Sequence, residues 1–324
     1  MPIVQKFGGS SLADAGRLRR AAELCERAFH AGKMPAVVVS AMGKDTDALL
    51  SLARELAGEP PQRELDALLA TGEARSAALL AMVLHSRGIP ALSLTGWQAG
   101  IRTDGCHGDA AITAVEPLRV ERALARGQLP VVCGFQGISE DGELTTLGRG
   151  GSDTSAVALA GALGAEECRI YTDVDGIFTA DPRLVPEARL LPVMDSADML
   201  LLARSGSRVL HHKCMELAVA SGQSLRLLSS FTEGEGTLVC PLPEEERPLF
   251  SGVTGRQGTV TLVGRGAALP VLRRLSRALA EAGCTPLSAV LQEGALCFRL
   301  PPEQTDAALR RVHREIFEGA GSEP

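Results

Sequence analysis

The chain has 324 residues, of which 45% are hydrophobic and 22% charged, a composition typical of a soluble globular protein with more than one domain. Its formal net charge of −6 argues against a general nucleic-acid binder, which would carry an excess of basic residues. The opening residues lack the pattern of a signal peptide, and no uninterrupted apolar run reaches the roughly 18 residues of a membrane span.

Short β-branched segments alternate with helical segments over the first 240 residues. The predicted strands are PIVQKF, AVVVSA, ALSLTG, PVVCGF, CRIYTDV and SLRLLSS. The predicted helices span residues 12–30, 46–56, 63–87, 115–126, 152–163 and 196–221. Such alternation implies an α/β fold with a mainly parallel sheet covered on both faces, in which ligands bind beyond the carboxyl ends of the strands.

The composition changes after residue 240. Residues 241–249 are rich in proline and glutamate, which predicts a linker between a domain at 1–240 and a module at 250–318. In the module, two strands, a helix, two more strands and a second helix predict a small α+β fold suited to ligand sensing or dimerisation. The tail at 319–324 is predicted to be disordered.

The eight cysteines are scattered, with no CxxC pair and no histidines at ligand spacing. This distribution predicts reduced, mostly buried thiols and no structural zinc site. We therefore expect a cytoplasmic protein without nucleic-acid or membrane partners.

The first predicted strand ends in the glycine-bearing junction VQKFGGSSL. The strand ends at Lys6 and Phe7, Gly8 and Gly9 allow the backbone to approach a ligand closely, and Ser10 or Ser11 is expected to cap the next helix. Exposed N–H groups at that helix start would favour an anion. A plain strand-to-helix turn is the alternative. The junction is not a P-loop, because its lysine precedes the glycines.

A second junction, TTLGRGGSDTSA, places three glycines around Arg149 where a helix must begin. Ser152 or Asp153 is expected to cap that helix, and the planar guanidinium suits a carboxylate or a phosphate. The pattern predicts an anion site at a helix N-terminus. The alternative is a solvated turn in which Arg149 pairs with a surface acid.

A third junction, YTDVDGIFTADPR, gathers Asp173, Asp175 and Asp181 beside Arg183. Its acidic spacing lacks the terminal glutamate of an EF-hand, so a nucleotide pocket is the better interpretation. Two anion-binding loops and an acidic nucleotide loop together indicate phosphoryl transfer, in which catalysis is mainly positioning and cationic stabilisation of the transferred group.

Several long motifs, in order, carry a family resemblance: KFGGSS, VVVSAMGKDTD, LLATGEARSAALLAMVL, TTLGRGGSDTSAVALAGALGA and YTDVDGIFTADPR. Over residues 1–239 the chain resembles the aspartate kinases of the amino acid kinase superfamily. The resemblance implies an αβα sandwich that transfers the γ-phosphoryl group of ATP to the β-carboxylate of L-aspartate, giving 4-phospho-L-aspartate. Mg²⁺ is expected to bridge the ATP phosphates, with no dedicated protein metal site.

The same resemblance assigns the site residues. Lys6 and Asp153 are the expected catalytic groups, with Lys6 against the transferred phosphoryl group. The residues expected around aspartate are Thr46, Glu73, Arg149, Gly150, Gly151 and Ser152. The residues expected around ATP are Lys6, Gly8, Gly9, Ser10, Ser40, Thr172, Asp173, Phe178, Arg183 and Arg208.

Two of these residues have simpler interpretations. Glu73 could be a solvated surface acid of a helix, and Thr46 could be only the N-cap of the helix that follows it. The chain also departs from the family pattern, with Phe178 in place of a tyrosine, Arg208 in place of a lysine and His212 in place of a proline.

The largest departure is in residues 250–318. Aspartate kinases of this type carry two ACT domains, with the inhibitor lysine or threonine bound between them, whereas these residues suffice for one ACT-like unit. We expect a homodimer formed through this module and weak or no feedback by lysine and threonine. Phosphorylation of another small amino-acid carboxylate, or a catalytically silent amino-acid sensor, are the alternative functions.

Overall fold

The computed structural model describes residues 1–292 and 294–318, and the tail predicted to be disordered lies outside these residues. The described strands are β1 (Pro2–Phe7), β2 (Met34–Val39), β3 (Ala91–Leu94), β4 (Ile101–Thr103), β5 (Ile112–Val115), β6 (Leu129–Cys133), β7 (Gln136–Ile138), β8 (Leu144–Thr146), β9 (Cys168–Thr172), β10 (Val193–Asp195), β11 (Leu225–Ser229), β12 (Thr237–Cys240), β13 (Gly252–Arg256), β14 (Thr259–Val263), β15 (Ser288–Gln292) and β16 (Ala295–Arg299). The described helices are α1 (Ala15–His30), α2 (Asp45–Ala57), α3 (Gln62–Ser86), α4 (Leu118–Ala125), α5 (Gly151–Ala162), α6 (Ser196–Arg204), α7 (His212–Ser221), α8 (Leu269–Glu281) and α9 (Thr305–His313).

The chain folds into two compact units. The first unit contains residues 1–175 and 216–235, and the second contains residues 176–215 and those from 236 onward. This division differs from the predicted boundary at residue 240. It arises because apolar side chains of the segment after Gly176, including Ala180 and Val185, pack into the hydrophobic core of the C-terminal module.

A parallel sheet forms the centre of the first unit, with the strand order β11-β9-β1-β2-β6-β3. These are the six predicted strands, so the prediction of a mainly parallel α/β sheet is confirmed. Successive side chains point to opposite faces of a strand. Phe7, Val37, Val39 and Val131 pack with helices α1 and α3, while α4 and α5 pack against the same strands from the other face.

A second small sheet in this unit, with the order β5-β4-β7-β8, was not predicted. Its strands have only three or four residues, too few for an alternating pattern to stand out in the sequence. Strand β8 leads directly into the glycine-rich stretch around Arg149, so this sheet supports the loop predicted to bind an anion.

Three predicted helices are wrong in their extent. The helix predicted from residue 12 begins at Ala15, because residues 9–12 form a 3₁₀ turn. The helix predicted over residues 196–221 is two helices, α6 and α7, because the chain turns at Gly206, whose φ of 110° suits glycine. The helix predicted from residue 115 begins at Leu118, because Val115 still belongs to strand β5.

Helix α3 is the one helix within the described residues that is long and apolar enough to cross a membrane. Half of its most apolar window is buried inside the protein, and its buried face includes the acidic residues Asp66 and Glu73. This is the packing expected of a core helix.

The second unit contains an antiparallel sheet with the order β13-β14-β16-β15 and the parallel pair β10-β12. Helices α8 and α9 supply Leu275, Leu279 and Leu309 to the core of the antiparallel sheet. Helix α9 also holds the loop after Gly176, because His313 Nε2 lies 2.9 Å from Thr179 Oγ1. The predicted strand and helix order of the C-terminal module is confirmed.

The segment predicted as a linker, residues 241–249, is anchored within the second unit. It contains a short 3₁₀ turn at Glu244–Glu246, and Arg247 then donates to the buried carboxylate of Asp198 at 2.5 Å. The backbone N–H of Leu242 donates to Asp195, which also caps helix α6.

Candidate active site

The carboxyl ends of the parallel strands in the first unit bring several predicted residues to one edge. Lys6 lies near the end of β1, in register with Val38 of β2 and Ile170 of β9. Ser40 directly follows β2, and Thr172 ends β9. Because the strands are parallel, these residues share the edge at which ligands bind in open α/β sheets.

The Gly8–Gly9 turn fits closely against the neighbouring strand ends. The N–H of Gly8 donates to Tyr171 O at 3.2 Å. A Cβ atom on Gly9 would lie 2.9 Å from Ala41 O, so this position excludes a side chain. The predicted serine caps are wrong, because Ser10 lies in a 3₁₀ turn and the side chain of Asp14 caps helix α1.

Lys6 and Asp153 form an ion pair, with 2.5 Å between Lys6 Nζ and Asp153 Oδ1. Their side chains are 10% and 16% exposed, so the two charges are largely removed from water. A buried charge is stable only when it is paired and hydrogen-bonded. The structure therefore brings together the two residues that the resemblance gives as catalytic.

The glycine-rich loop ends in helix α5, whose N-cap is Gly150 with a φ of 74°. A Cβ atom on Gly151 would lie 2.9 Å from side-chain atoms of Leu147 and Phe135, so a side chain would not fit there. The prediction that Ser152 or Asp153 caps this helix is wrong, since no side chain caps it.

Arg149 is exposed, and it makes no ion pair with any residue in the described ranges. The alternative in which it pairs with a surface acid is therefore wrong. Asp153, the partner of Lys6, is only four residues later in the chain. The Cα atoms of Arg149 and Asp153 are therefore at most about 14 Å apart. An unpaired guanidinium thus stands near the start of the helix that carries the Lys6 partner.

Glu73 is buried in helix α3, with 3% of its surface exposed. Its Oε1 accepts a hydrogen bond of 2.9 Å from the N–H of Ala41, which follows the carboxyl end of β2. Its Oε2 is buried and has no hydrogen-bond partner among the described residues. The interpretation of Glu73 as a solvated surface acid is therefore wrong.

Burial also changes the ionisation of this carboxyl group. Desolvation raises the pKa of Glu73 to about 7, although the hydrogen bond from Ala41 favours the charged form. The same burial, with the charge of Glu73 adding to it, raises the pKa of the Cys133 thiol to about 12. Cys133 ends strand β6, so Glu73 lies over the carboxyl ends of both β2 and β6.

Thr46 is the second residue of helix α2 and is half-buried. The N-cap position belongs to Lys44, so the interpretation of Thr46 as the cap is wrong. Asp173 follows β9 and is exposed, and its Oδ1 accepts a 3.2 Å hydrogen bond from Thr172.

Three residues predicted at the nucleotide belong to the second unit. Phe178 is half-buried, Arg208 is exposed, and Arg183 binds Asp181 through two nitrogen atoms at 2.9 Å and 2.7 Å. The ion pair between Arg183 and Asp181 lies in the loop after Gly176, which helix α9 contacts through His313.

Sequence reasoning missed Phe135, which connects the loop after β6 to helix α5. Its φ of 69° is rare for a residue with a side chain. Its N–H donates to Ser155 Oγ at 3.0 Å, and its carbonyl accepts from Leu147. No signal in the sequence marks a phenylalanine for this conformation, because the reason lies in the packing around it.

Comparisons with known proteins agree with this geometry. The model of the amino acid kinase family matches residues 1–229. An aspartokinase of Mycolicibacterium smegmatis is 48% identical over 286 residues, which cover 86% of this chain and 68% of that protein. The chain belongs to the aspartokinases of the amino acid kinase family. An aspartokinase of Geobacillus stearothermophilus is 46% identical, with 87% of this chain and 70% of that protein covered.

Solved aspartokinase structures share the fold of this family member. E. coli aspartokinase III in complex with aspartate and ADP has a TM-score of 0.73 and 26% identity, covering 94% of this chain and 80% of that one. The aspartate kinase from Synechocystis has a TM-score of 0.69 and 30% identity, covering 97% of this chain and 69% of that one. The predicted amino acid kinase fold is therefore confirmed.

Proposed function

We propose that this chain transfers the γ-phosphoryl group of ATP to the β-carboxylate of L-aspartate, giving 4-phospho-L-aspartate. The observation that carries the proposal is the buried Oε2 atom of Glu73, which has no partner among the described residues. A buried carboxylate oxygen of this kind matches the ammonium group of an amino acid. The similarity to aspartokinases supports aspartate as that amino acid.

The α-carboxylate of the substrate matches the positive charge of the glycine-rich loop around Arg149. In the proposal Arg149 binds the α-carboxylate, because its planar guanidinium has no partner within the described ranges and can bind both carboxylate oxygens. Helix α5 begins beside it, and helix N-termini attract anions. Gly150, Gly151 and Ser152 would then line the acceptor side, and Thr46 is assigned to aspartate by the family pattern.

The reaction needs no general base. An oxygen of the β-carboxylate is already ionised, so it attacks the γ-phosphorus while the bond from that phosphorus to the bridging oxygen of ADP breaks. Lys6 supplies positive charge to the transferred group, and Asp153 holds the ammonium of Lys6 in position. In the close-fitting Gly8–Gly9 turn, the N–H of Gly8 donates to Tyr171 O, so the N–H groups that follow it, of Gly9 and Ser10, would face the phosphates.

The proposed nucleotide contacts follow the family pattern. They are Ser10, Ser40, Thr172 and Asp173, together with Phe178, Arg183 and Arg208. In this assignment Arg183 would exchange Asp181 for a phosphate as its partner.

In the proposal, Mg²⁺ binds together with ATP. Within residues 1–292 and 294–318, no group of three or more acidic, histidine or cysteine side chains could hold a metal ion. Phosphate oxygens would therefore supply most of its ligands, and the ion, when bound, neutralises phosphate charge. Lys6 is the protein side chain that we propose contacts the transferred phosphoryl group.

A panel of acceptors tests the proposed activity. We expect the chain, with ATP, to phosphorylate L-aspartate with a kcat/KM at least about tenfold above that for L-glutamate, because one methylene group changes the fit of the acceptor. Hydroxylamine traps the acyl phosphate as a measurable hydroxamate. In Arg149→Ala, the KM for aspartate should rise about tenfold or more.

Two outcomes of this panel contradict the proposal. Faster phosphorylation of glutamate or N-acetylglutamate would favour a kinase of another small carboxylate. No hydroxamate with any acceptor would favour a catalytically silent sensor.

For the C-terminal module we propose a single ACT-like unit that pairs with a second copy of the chain in the cytoplasm. Edge strand β15 supports this, because all five of its residues are exposed, including the apolar Val290 and Leu291. An exposed apolar edge strand is a template for pairing with another strand. A twofold interface uses the same surface on both subunits.

Light scattering tests this pairing. We expect a dimer that becomes a monomer when Val290 and Leu291 are both replaced by aspartate, whereas Leu56→Asp on exposed helix α2 leaves the mass unchanged. We also propose weak or no inhibition by lysine or threonine. A dimer that survives the β15 changes, or strong inhibition by either amino acid, would contradict the respective proposal.

A further inference from the structure

A second buried carboxylate of helix α3, Asp66, lies seven residues before Glu73 and therefore about two helical turns away on a similar face. It is 1% exposed, and it is not among the residues assigned to substrate or nucleotide. Burying a carboxylate is costly unless hydrogen bonds replace its water. The partners of Asp66 therefore indicate what the burial achieves.

Asp66 joins two segments that are far apart in the sequence. It accepts hydrogen bonds from the N–H of Gly108, at 3.1 Å to Oδ1 and 3.0 Å to Oδ2. It also accepts from Thr146, at 3.1 Å from the backbone N–H and 2.6 Å from Oγ1. His107 Nδ1 lies 2.9 Å from Oδ2, and it donates to this oxygen in the tautomer that carries the proton on Nδ1.

These contacts fix the approach to the glycine-rich loop. Thr146 ends strand β8, three residues before Arg149, and its carbonyl accepts from Ala110 N–H at 2.9 Å. Gly148 lies directly against the loop that Asp66 holds, since a Cβ atom there would be 2.3 Å from Asp109 Oδ1. Asp66 thus contacts both the loop at Gly108 and the end of strand β8, from which the backbone runs to Arg149.

We propose that Asp66 is the positioning residue for Arg149 and so sets the affinity for the α-carboxylate of the amino-acid substrate. This inference rests on the proposed role of Arg149. It predicts that a change at Asp66 weakens binding of the amino-acid substrate and leaves binding of the nucleotide unchanged. The reason is that the residues proposed for ATP lie on other strand ends and loops. A small displacement of a substrate-positioning group lowers catalytic efficiency severely.

The Asp66→Asn variant tests the inference with almost no change in shape. Both carboxylate oxygens accept from backbone N–H groups, so in either orientation the amide NH₂ of asparagine faces a donor. We expect the KM for aspartate to rise at least about tenfold, with the KM for ATP within about twofold of the wild-type value. Asp141→Asn, at the exposed turn between β7 and β8, is the matched control and should change neither constant.

A double-mutant cycle with Arg149→Ala separates positioning from general destabilisation. If Asp66 acts through Arg149, Asp66→Asn should have little further effect on the KM for aspartate once Arg149 is alanine. An equal rise in both backgrounds, or an unchanged KM for aspartate in folded Asp66→Asn, would overturn the inference. An Arg149→Ala variant with normal KM would instead overturn the proposed role of Arg149.

Thr146→Val provides a second test if Asp66→Asn does not fold. It removes only the 2.6 Å hydrogen bond from Oγ1 and leaves the backbone contact and the carboxylate in place. We expect a smaller rise in the KM for aspartate, about threefold, that again disappears in the Arg149→Ala background. A Thr146→Val variant with an unchanged KM for aspartate would contradict the inference.

Discussion

Replacing Lys6 with alanine is expected to lower kcat by about a thousandfold or more, because the transferred phosphoryl group loses the cation that stabilises its charge in the transition state. The substitution also leaves the Asp153 carboxylate buried without its partner at 2.5 Å. Hydroxamate formation from ATP, aspartate and hydroxylamine measures the loss of activity, and thermal unfolding measures the loss of stability.

Two variants separate these effects. The double variant Lys6→Ala, Asp153→Asn removes the unpaired charge, so it should recover stability while remaining inactive. Lys33→Ala makes the same change at a half-buried lysine that pairs with Glu166 away from Asp153, and its activity should be normal. A Lys6→Ala enzyme that keeps a tenth of the wild-type kcat would rule out the proposed role of this lysine.

Glu73→Gln is expected to raise the KM for aspartate about a hundredfold, because a neutral amide replaces the buried carboxylate that we propose binds the substrate ammonium. The KM for ATP should change little. Glu64→Gln, on the exposed first turn of the same helix, is the matched control and should leave both constants unchanged.

The pH dependence of aspartate binding follows from the same group. Burial raises the pKa of Glu73 to about 7, and only the ionised form attracts the ammonium group. The kcat/KM for aspartate should therefore fall as the pH drops through 7, and this ionisation should be missing in Glu73→Gln. An identical pH profile in the variant would contradict the assignment.

The stability of the substrate-free protein should change in the opposite direction. The folded state binds the Glu73 proton more tightly than the unfolded chain, whose ordinary pKa is 4.5. The resulting stabilisation is fully present below pH 4.5 and is lost as the pH rises through 7, a change on the order of 3 kcal/mol. Glu73→Gln should remove this dependence from the free energy of unfolding.

The central sheet was predictable because its strands are buried on both faces and read as continuous apolar, β-branched runs. Strands β2 and β6 are examples, with five buried residues each. The glycine junctions were predictable for a related reason. A Cβ atom on Gly9 or Gly151 would collide with the backbone or side chains nearby, so the requirement for glycine is visible in the sequence itself.

Features that depend on tertiary contacts were not predictable. Local sequence patterns took Asp153 for a helix cap, because its partner Lys6 is far away in the sequence, and only the family resemblance placed both among the catalytic groups. Asp66 resembles any acid in a helix until its partners at residues 107, 108 and 146 are known. The burial of Glu73 likewise depends on the packing of α3 against the end of β2.

The most direct test of this account is a crystal structure with L-aspartate and ADP bound. We predict that Glu73 Oε2 lies about 3 Å from the substrate ammonium, that Arg149 binds the α-carboxylate, and that Lys6 Nζ faces the space between the β-carboxylate and the β-phosphate of ADP. Aspartate bound elsewhere, with the Oε2 atom of Glu73 still unpartnered, would contradict the account.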